Sequence, residues 1–207
     1  LNQLSKINTK ILSENKFPLV LGGEHSITPG ALRPFVKKYK NITLLHFDAH
    51  ADLRESYLGE KYSHACVMRR CLDFKNVKVV SFGVRNLSKN EMVFYNNNRD
   101  RIKIFWGKDK KNWNLKKLSK LFKNKNVYLT FDVDGFDQSI MPATGTPEPG
   151  GLMWNETLQI IKKICQISNI VGADINELSP IKDFSSYNFL VAKLAYKILS
   201  YTFKFKK

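Results

Sequence analysis

The 207-residue chain contains no run of about 18 apolar residues, which excludes a membrane-spanning helix. Its first residues, Leu1 to Lys10, lack the apolar stretch of a secretory signal, so the expected location is the cytoplasm and no membrane partner is expected. Cysteine is scarce. Cys66, Cys71 and Cys165 form neither a C-x-x-C pair nor an even framework, and read as reduced, packed thiols. Acidic residues are outnumbered, 18 against 34 basic, giving a net charge of +16. The lysines are dispersed in short groups among asparagines, such as Lys37-Lys38 and Lys204 to Lys207, which is the pattern of a solvated surface. No nucleic-acid partner is expected from it. Missing too are G-x-G-x-x-G, the P-loop and the G-x-S-x-G elbow, so no dinucleotide, nucleotide or serine-hydrolase motif competes.

What is present suits one domain over residues 1–207, with 43% hydrophobic residues to build its core. Short runs rich in Val, Ile and Leu predict strands at Pro18 to Leu21, Ile42 to Asp48, Val77 to Gly83, Ile102 to Trp106, Val127 to Asp132 and Ile170 to Asp174. Helical stripes alternate with them. Leu1, Leu4, Ile7 and Ile11 form one, Trp154, Leu158, Ile161 and Cys165 another. A third helix, Ser185 to Tyr201, is apolar around most of its circumference and is expected to be well buried. The alternation predicts an α/β fold, a mostly parallel sheet covered by helices. One long turn-rich stretch, Gly135 to Gly151, follows a strand bearing two carboxylates, and loops of that length are usually functional.

The strand exits carry the chemistry. The second predicted strand runs into Asp48-Ala-His50-Ala-Asp52, and in extended chain those three alternate residues point to one side. The fifth ends in Asp132-Val-Asp134, and the first is followed by Gly22-Gly-Glu-His25. Four carboxylates crowded at neighbouring strand ends must take up protons or bind cations. With two imidazoles they form a mixed oxygen and nitrogen set suited to Mn²⁺, and their number points to two ions. Such a pair, with a bridging hydroxide, would leave a net negative cluster, suited to a cationic substrate. Two metals about 3.5–4 Å apart activate a shared water, so hydrolysis is the expected reaction class.

Three stretches then resemble the ureohydrolase family of arginase, agmatinase and guanidinobutyrase. They are Gly22-Gly-Glu-His-Ser-Ile-Thr28, His46-Phe-Asp-Ala-His-Ala-Asp52, and Thr130-Phe-Asp-Val-Asp-Gly-Phe-Asp137 leading into Pro142 to Gly151. The resemblance implies an arginase-like three-layer α/β/α fold and two Mn²⁺ ions. One ion would be held by His25, Asp48, Asp52 and Asp132, the other by Asp48, His50, Asp132 and Asp134. It implies that water attacks a guanidinium carbon, that Asp52 passes the proton to the leaving amine, that Glu177 pairs with the guanidinium, and that His64 shuttles protons. The loop Leu53 to His64 looks like the agmatinase version, so a small cationic guanidino substrate is expected, agmatine first, cleaved to putrescine and urea. Arg54 would suit an acidic tail such as guanidinobutyrate. Arginine hydrolysis, formimidoylglutamate hydrolysis and an inactive fragment are the alternatives.

The family usually carries a further N-terminal segment before its first metal-binding motif. This chain starts at Leu1, one helix upstream, and so is expected to lack that segment, exposing a sheet edge and lowering stability. The resemblance also implies a homo-oligomer, trimer or hexamer.

Overall fold

The computed structural model describes residues 1–206. Each apolar run predicted to be a strand is one: β1 Leu19–Leu21, β2 Ile42–Phe47, β3 Val77–Phe82, β4 Ile102–Phe105, β5 Asn126–Asp132 and β6 Asn169–Asn176. They form a single sheet in the order β1-β6-β5-β2-β3-β4, and every pairing is parallel. Before, between and after the strands lie helices α1 Asn2–Ser13, α2 Thr28–Lys38, α3 Val67–Leu72, α4 Lys89–Asn97, α5 Leu118–Phe122, α6 Trp154–Ile167 and α7 Ser185–Lys204.

Alternation along the strands divides the core. Ile42 and Leu44 of β2 face α1 to α4 with Leu32, Phe35, Met68 and Tyr95, whereas Leu45 and Phe47 face α5 to α7 with Phe122, Ile161 and Leu194. A sheet buried on both faces needs near-continuous apolar strands, which explains why these runs lack a polar side. Phe47 stacks between Phe82 and Phe131 at 5.5 and 5.0 Å, each fully buried ring stabilising the fold by roughly 1.5–3 kcal/mol.

The chain winds outward through β2, β3 and β4, then returns through β5 and β6 to the other side of β2. The order therefore reverses between β2 and β5. In parallel sheets the crevice beyond the strand ends at such a reversal is where ligands gather. Both carboxylate-bearing segments leave the sheet there.

Helix α7 departs from expectation. It buries Val191, Leu194, Ile198 and Thr202, while Phe189, Tyr196 and Phe203 are exposed. A helix laid on one sheet presents one stripe to it, and apolar residues elsewhere on its circumference gain no burial from that contact. Lys193 lies 5.9 and 5.4 Å from the Phe189 and Tyr196 ring centroids, on the uncovered side. The three thiols are free and buried, as expected. No described helix is long and apolar enough to cross a membrane.

Candidate metal centre

Three strand exits meet at one point. After β1 the backbone passes Gly22, where a Cβ would come within 2.5 Å of Asn176 Oδ1 and 2.4 Å of Ile27, so only glycine permits this close approach. It then enters a short turn, His25–Ile27, that carries His25 inward. His25 is fully buried, and its Nε2 lies 2.9 Å from Thr130 Oγ1. Its Nδ1 has no hydrogen-bond partner, yet carboxylate oxygens of Asp52, Asp132 and Asp48 lie 3.2, 3.3 and 3.4 Å away. Asp48 and Asp134 oxygens likewise flank His50 Nδ1, at 3.4 and 3.0 Å.

The extended-chain account of Asp48, His50 and Asp52 needs correction. Strand β2 ends at Phe47, and Asp52 adopts a left-handed backbone with φ of 54°. The segment bends around the cluster, and the bend, not strand alternation, brings Asp52 back to His25. Hydrogen bonds hold the bend: His50 N–H donates to Asp48 Oδ1 at 2.5 Å, Ala49 N–H to Asp134 Oδ1 at 3.0 Å, and Leu53 N–H to Glu91 Oε1 at 3.0 Å. At Gly135 a Cβ would meet Asp48 N at 2.8 Å, so the two carboxylate segments touch through backbone.

Electrostatics in this buried cluster are extreme. Burial and the neighbouring Asp48 charge push the Asp52 carboxyl up to about 8. Burial also raises Asp132 and Asp134, reinforced by the other carboxylates. Burial opposes charge on His50, but bonds to Asp134 and Asp48 prevail and lift it to about 11. His25 is raised in the same way by Asp132, Asp48 and Asp52 against the opposing effect of its burial. Asp48 alone among the four is driven well below its ordinary value: burial would raise it, and His46, His25 and His50 outweigh that.

These observations fit a cation. A buried imidazole nitrogen with no hydrogen-bond partner, faced by three carboxylate oxygens, is the donor set that a divalent cation would satisfy. Two groups of ligand atoms lie within 4.8 Å of one another, His25, His46, Asp48 and Asp52, and Asp48, His50 and Asp134. His46 differs from the others. Its Nε2 lies 2.8 Å from Asp48 Oδ2 and its Nδ1 2.9 Å from Ser81 Oγ, so both nitrogens are engaged and it orients Asp48. Asp132 takes its place beside His25 at 3.3 Å.

Loading this centre displaces protons. With Asp52 pushed up to about 8 and His50 to about 11, divalent metal uptake at neutral pH is expected to release protons, and affinity is expected to rise with pH by about tenfold per unit for each proton displaced. The metal-free fold responds oppositely. The unfolded chain ionises this Asp near 3.8 and this His loses its charge near 6.5. Stability therefore falls as pH rises from 3.8 to about 8 through Asp52, and from 6.5 to about 11 through His50. Calorimetric titration in two buffers of different ionisation enthalpy checks the release; identical heats would contradict it.

Above the centre lies a cavity of about 320 Å³ lined by His50, Asp52, Asp132, Asp134, Glu177 and His64, with Arg54, Tyr57 and Thr146 further along its wall. Every site residue read from the sequence is thus at the centre or on this cavity. Glu177 follows β6 with a left-handed φ of 67°, a conformation non-glycine residues rarely adopt and one that is common at functional sites. Its Oε1 accepts the His25 backbone N–H at 2.6 Å, and burial raises its pKa. The model of the arginase family matches residues 1–200.

The chain belongs to the arginase family.

Among its relatives is the N(1)-aminopropylagmatine ureohydrolase of Synechocystis sp., 36% identical over 92% of this chain and 62% of the relative. The mitochondrial guanidino acid hydrolase of Homo sapiens is also 36% identical, over 88% of this chain and 54% of that protein. The chain thus spans less than two thirds of the length of these family members. Among solved arginase-fold structures, agmatine ureohydrolase of Thermoplasma volcanium superposes with a TM-score of 0.85 at 35% identity, covering 98% of this chain and 68% of that one.

Sequence reasoning overlooked Arg85. It lies three residues past the end of β3, against the backbone that follows the Asp132-Val-Asp134 exit. Its guanidinium donates to the carbonyls of Asp134 (2.8 Å), Glu148 (2.8 Å), Pro149 (2.9 Å), Gly83 (3.0 Å) and Phe136 (3.1 Å), tying the Gly135 to Gly151 loop to the sheet. Glu91 was also overlooked, although Ser88-x-x-Glu91 is a capping-box signature legible in sequence.

Proposed function

We propose that this chain is a binuclear manganese hydrolase that cleaves the guanidinium group of agmatine to putrescine and urea. The observation that carries this reading is the partnerless His25 Nδ1 amid three carboxylates, beside a cavity that also presents Glu177. His25, Asp48, Asp52 and Asp132 would hold one ion, and Asp48, His50, Asp132 and Asp134 the other, with Asp48 and Asp132 shared. Oxygen and imidazole donors without thiolate favour Mn²⁺. When bound, the pair supplies an acidified water and stabilises developing negative charge.

The chain's own residues do the rest. Glu177 receives the guanidinium as a bidentate carboxylate, and its hydrogen bond to His25 N–H fixes it relative to the metal frame. A bound cation also offsets the upward push of burial on its carboxyl. Asp52 passes a proton to the leaving amine, and His64, on the same cavity, exchanges protons with solvent.

Arg54 bears on the tail. It lines the cavity, but its Nε is 3.7 Å from Glu91 and its guanidinium carbon 5.3 Å from the Tyr57 centroid. Its charge is already faced by a carboxylate, which favours an amine tail over an acidic one.

The test is urea release by Mn²⁺-loaded protein from agmatine, N(1)-aminopropylagmatine, arginine and guanidinobutyrate, with Asp132→Ala and Asp134→Ala controls. Agmatine is expected to give the highest kcat/KM, with urea release abolished in both controls. Preference for guanidinobutyrate would reassign the tail to Arg54, and no urea from any guanidine by folded, loaded protein would end the ureohydrolase reading.

A further inference from the structure

His64 sits in a loop, with its side chain nearly half exposed, yet a proton carrier needs a defined ring. What defines it comes from another segment. Glu24 Oε1 accepts both the His64 backbone N–H, at 2.9 Å, and lies 3.0 Å from His64 Nδ1. The other Glu24 oxygen accepts from Ser26 Oγ, which fixes the carboxylate plane. Tyr57 packs edge-on to the imidazole, with centroids 5.4 Å apart. His64 Nε2 has no hydrogen-bond partner among the described residues, and the side chain lines the cavity beside Asp52 and Glu177.

We propose that Glu24 is a positioning residue for His64: by accepting from its backbone N–H and its Nδ1–H, it holds the ring in the Nδ1–H tautomer and leaves Nε2 as the acceptor on the cavity side. A carboxylate accepts only, so the ring nitrogen facing it must carry the hydrogen. The ring is neutral in its proton-accepting form, so Nε2 is then bare. Free imidazole side chains favour hydrogen on Nε2, so the assignment predicts an inverted preference. Glu24 adjoins His25, whose peptide N–H holds Glu177, so one dipeptide positions two functional groups of the cavity.

The effect on turnover rests on the hydrolase reading; the effect on the tautomer does not. In protein labelled with ¹⁵N-histidine and loaded with Zn²⁺, a diamagnetic ion, long-range ¹H–¹⁵N correlation at neutral pH should show His64 with hydrogen on Nδ1. In Glu24→Ala it should revert to mainly Nε2–H. A wild-type Nε2–H tautomer, or one unchanged by Glu24→Ala, overturns the proposal even if no guanidine is hydrolysed. In Mn²⁺-loaded protein, Glu24→Ala should lower kcat for urea release about 10- to 100-fold, with KM and bound metal unchanged. In a His64→Ala background the same change should add little. A full additional loss there, or lost metal with an unaltered tautomer, would assign Glu24 to the metal frame and overturn the proposal.

Discussion

Asp48→Asn is expected to strip metal from both halves of the proposed centre and lower the proposed urea release at least about 10³-fold. Asp48 is the residue common to both ligand groups. Its Oδ2 faces His25 Nδ1 and its Oδ1 faces His50 Nδ1, each at 3.4 Å, while His46 holds Oδ2 from behind at 2.8 Å. Asparagine keeps the shape but removes the charge and turns one acceptor into an NH₂ donor aimed at an imidazole. Loss of orienting contacts alone typically costs metal sites 10–100-fold in affinity, and here a shared ligand is lost. Metal content per folded chain, with Asp52→Asn as a comparison, checks the result. Two ions retained in Asp48→Asn would show that it does not bridge.

Arg85→Lys is expected to destabilise the protein by roughly 2–4 kcal/mol, after allowance for partial solvent screening, and to weaken metal binding. Five carbonyls from three stretches of chain converge within 3.1 Å on this one planar group. A lysine ammonium has three donors and no fork, so it leaves several carbonyls without a partner. Because one of them belongs to Asp134, release of the loop shifts a ligand as well. A fall in Tm of roughly 5–15 °C, with lower metal affinity by calorimetry, is the expected outcome. Unchanged values for both would mean that the loop holds its place without the guanidinium.

The two residues show where sequence reading stops. Asp48 was legible because its position is announced locally: an apolar run predicts a strand, and a polar residue just beyond a parallel strand lies where ligands gather. The same logic located His25, His50, Asp52, Asp132 and Asp134, and all six strands, since burial on both faces leaves an unbroken apolar record. Arg85 left no such record. Its partners lie some fifty to sixty residues onward, and they are carbonyl oxygens, which every residue has. His46 was hidden for a similar reason, because its engagement depends on Ser81 of the adjacent strand. Asp52 was placed correctly by the wrong geometry, for a left-handed residue inside a loop is fixed by its distant contacts and not by local pattern. Helix α7 misled in the other direction: composition reports what a helix can bury, and only neighbours decide what it does bury.

Strand β1 gives the centre a second meaning. It is three residues long, lies at the margin of the sheet and, among the described residues, pairs only with β6. By itself such a margin frays, opening at little expense relative to the interior. Yet four residues after it comes His25, which reaches across β6 to carboxylates at the ends of β2 and β5. An ion seated there would act as a rivet through the sheet, joining its outermost strand to its middle ones. The hinge of that rivet is also the segment that aligns Glu177, so the marginal strand and that carboxylate would tighten together.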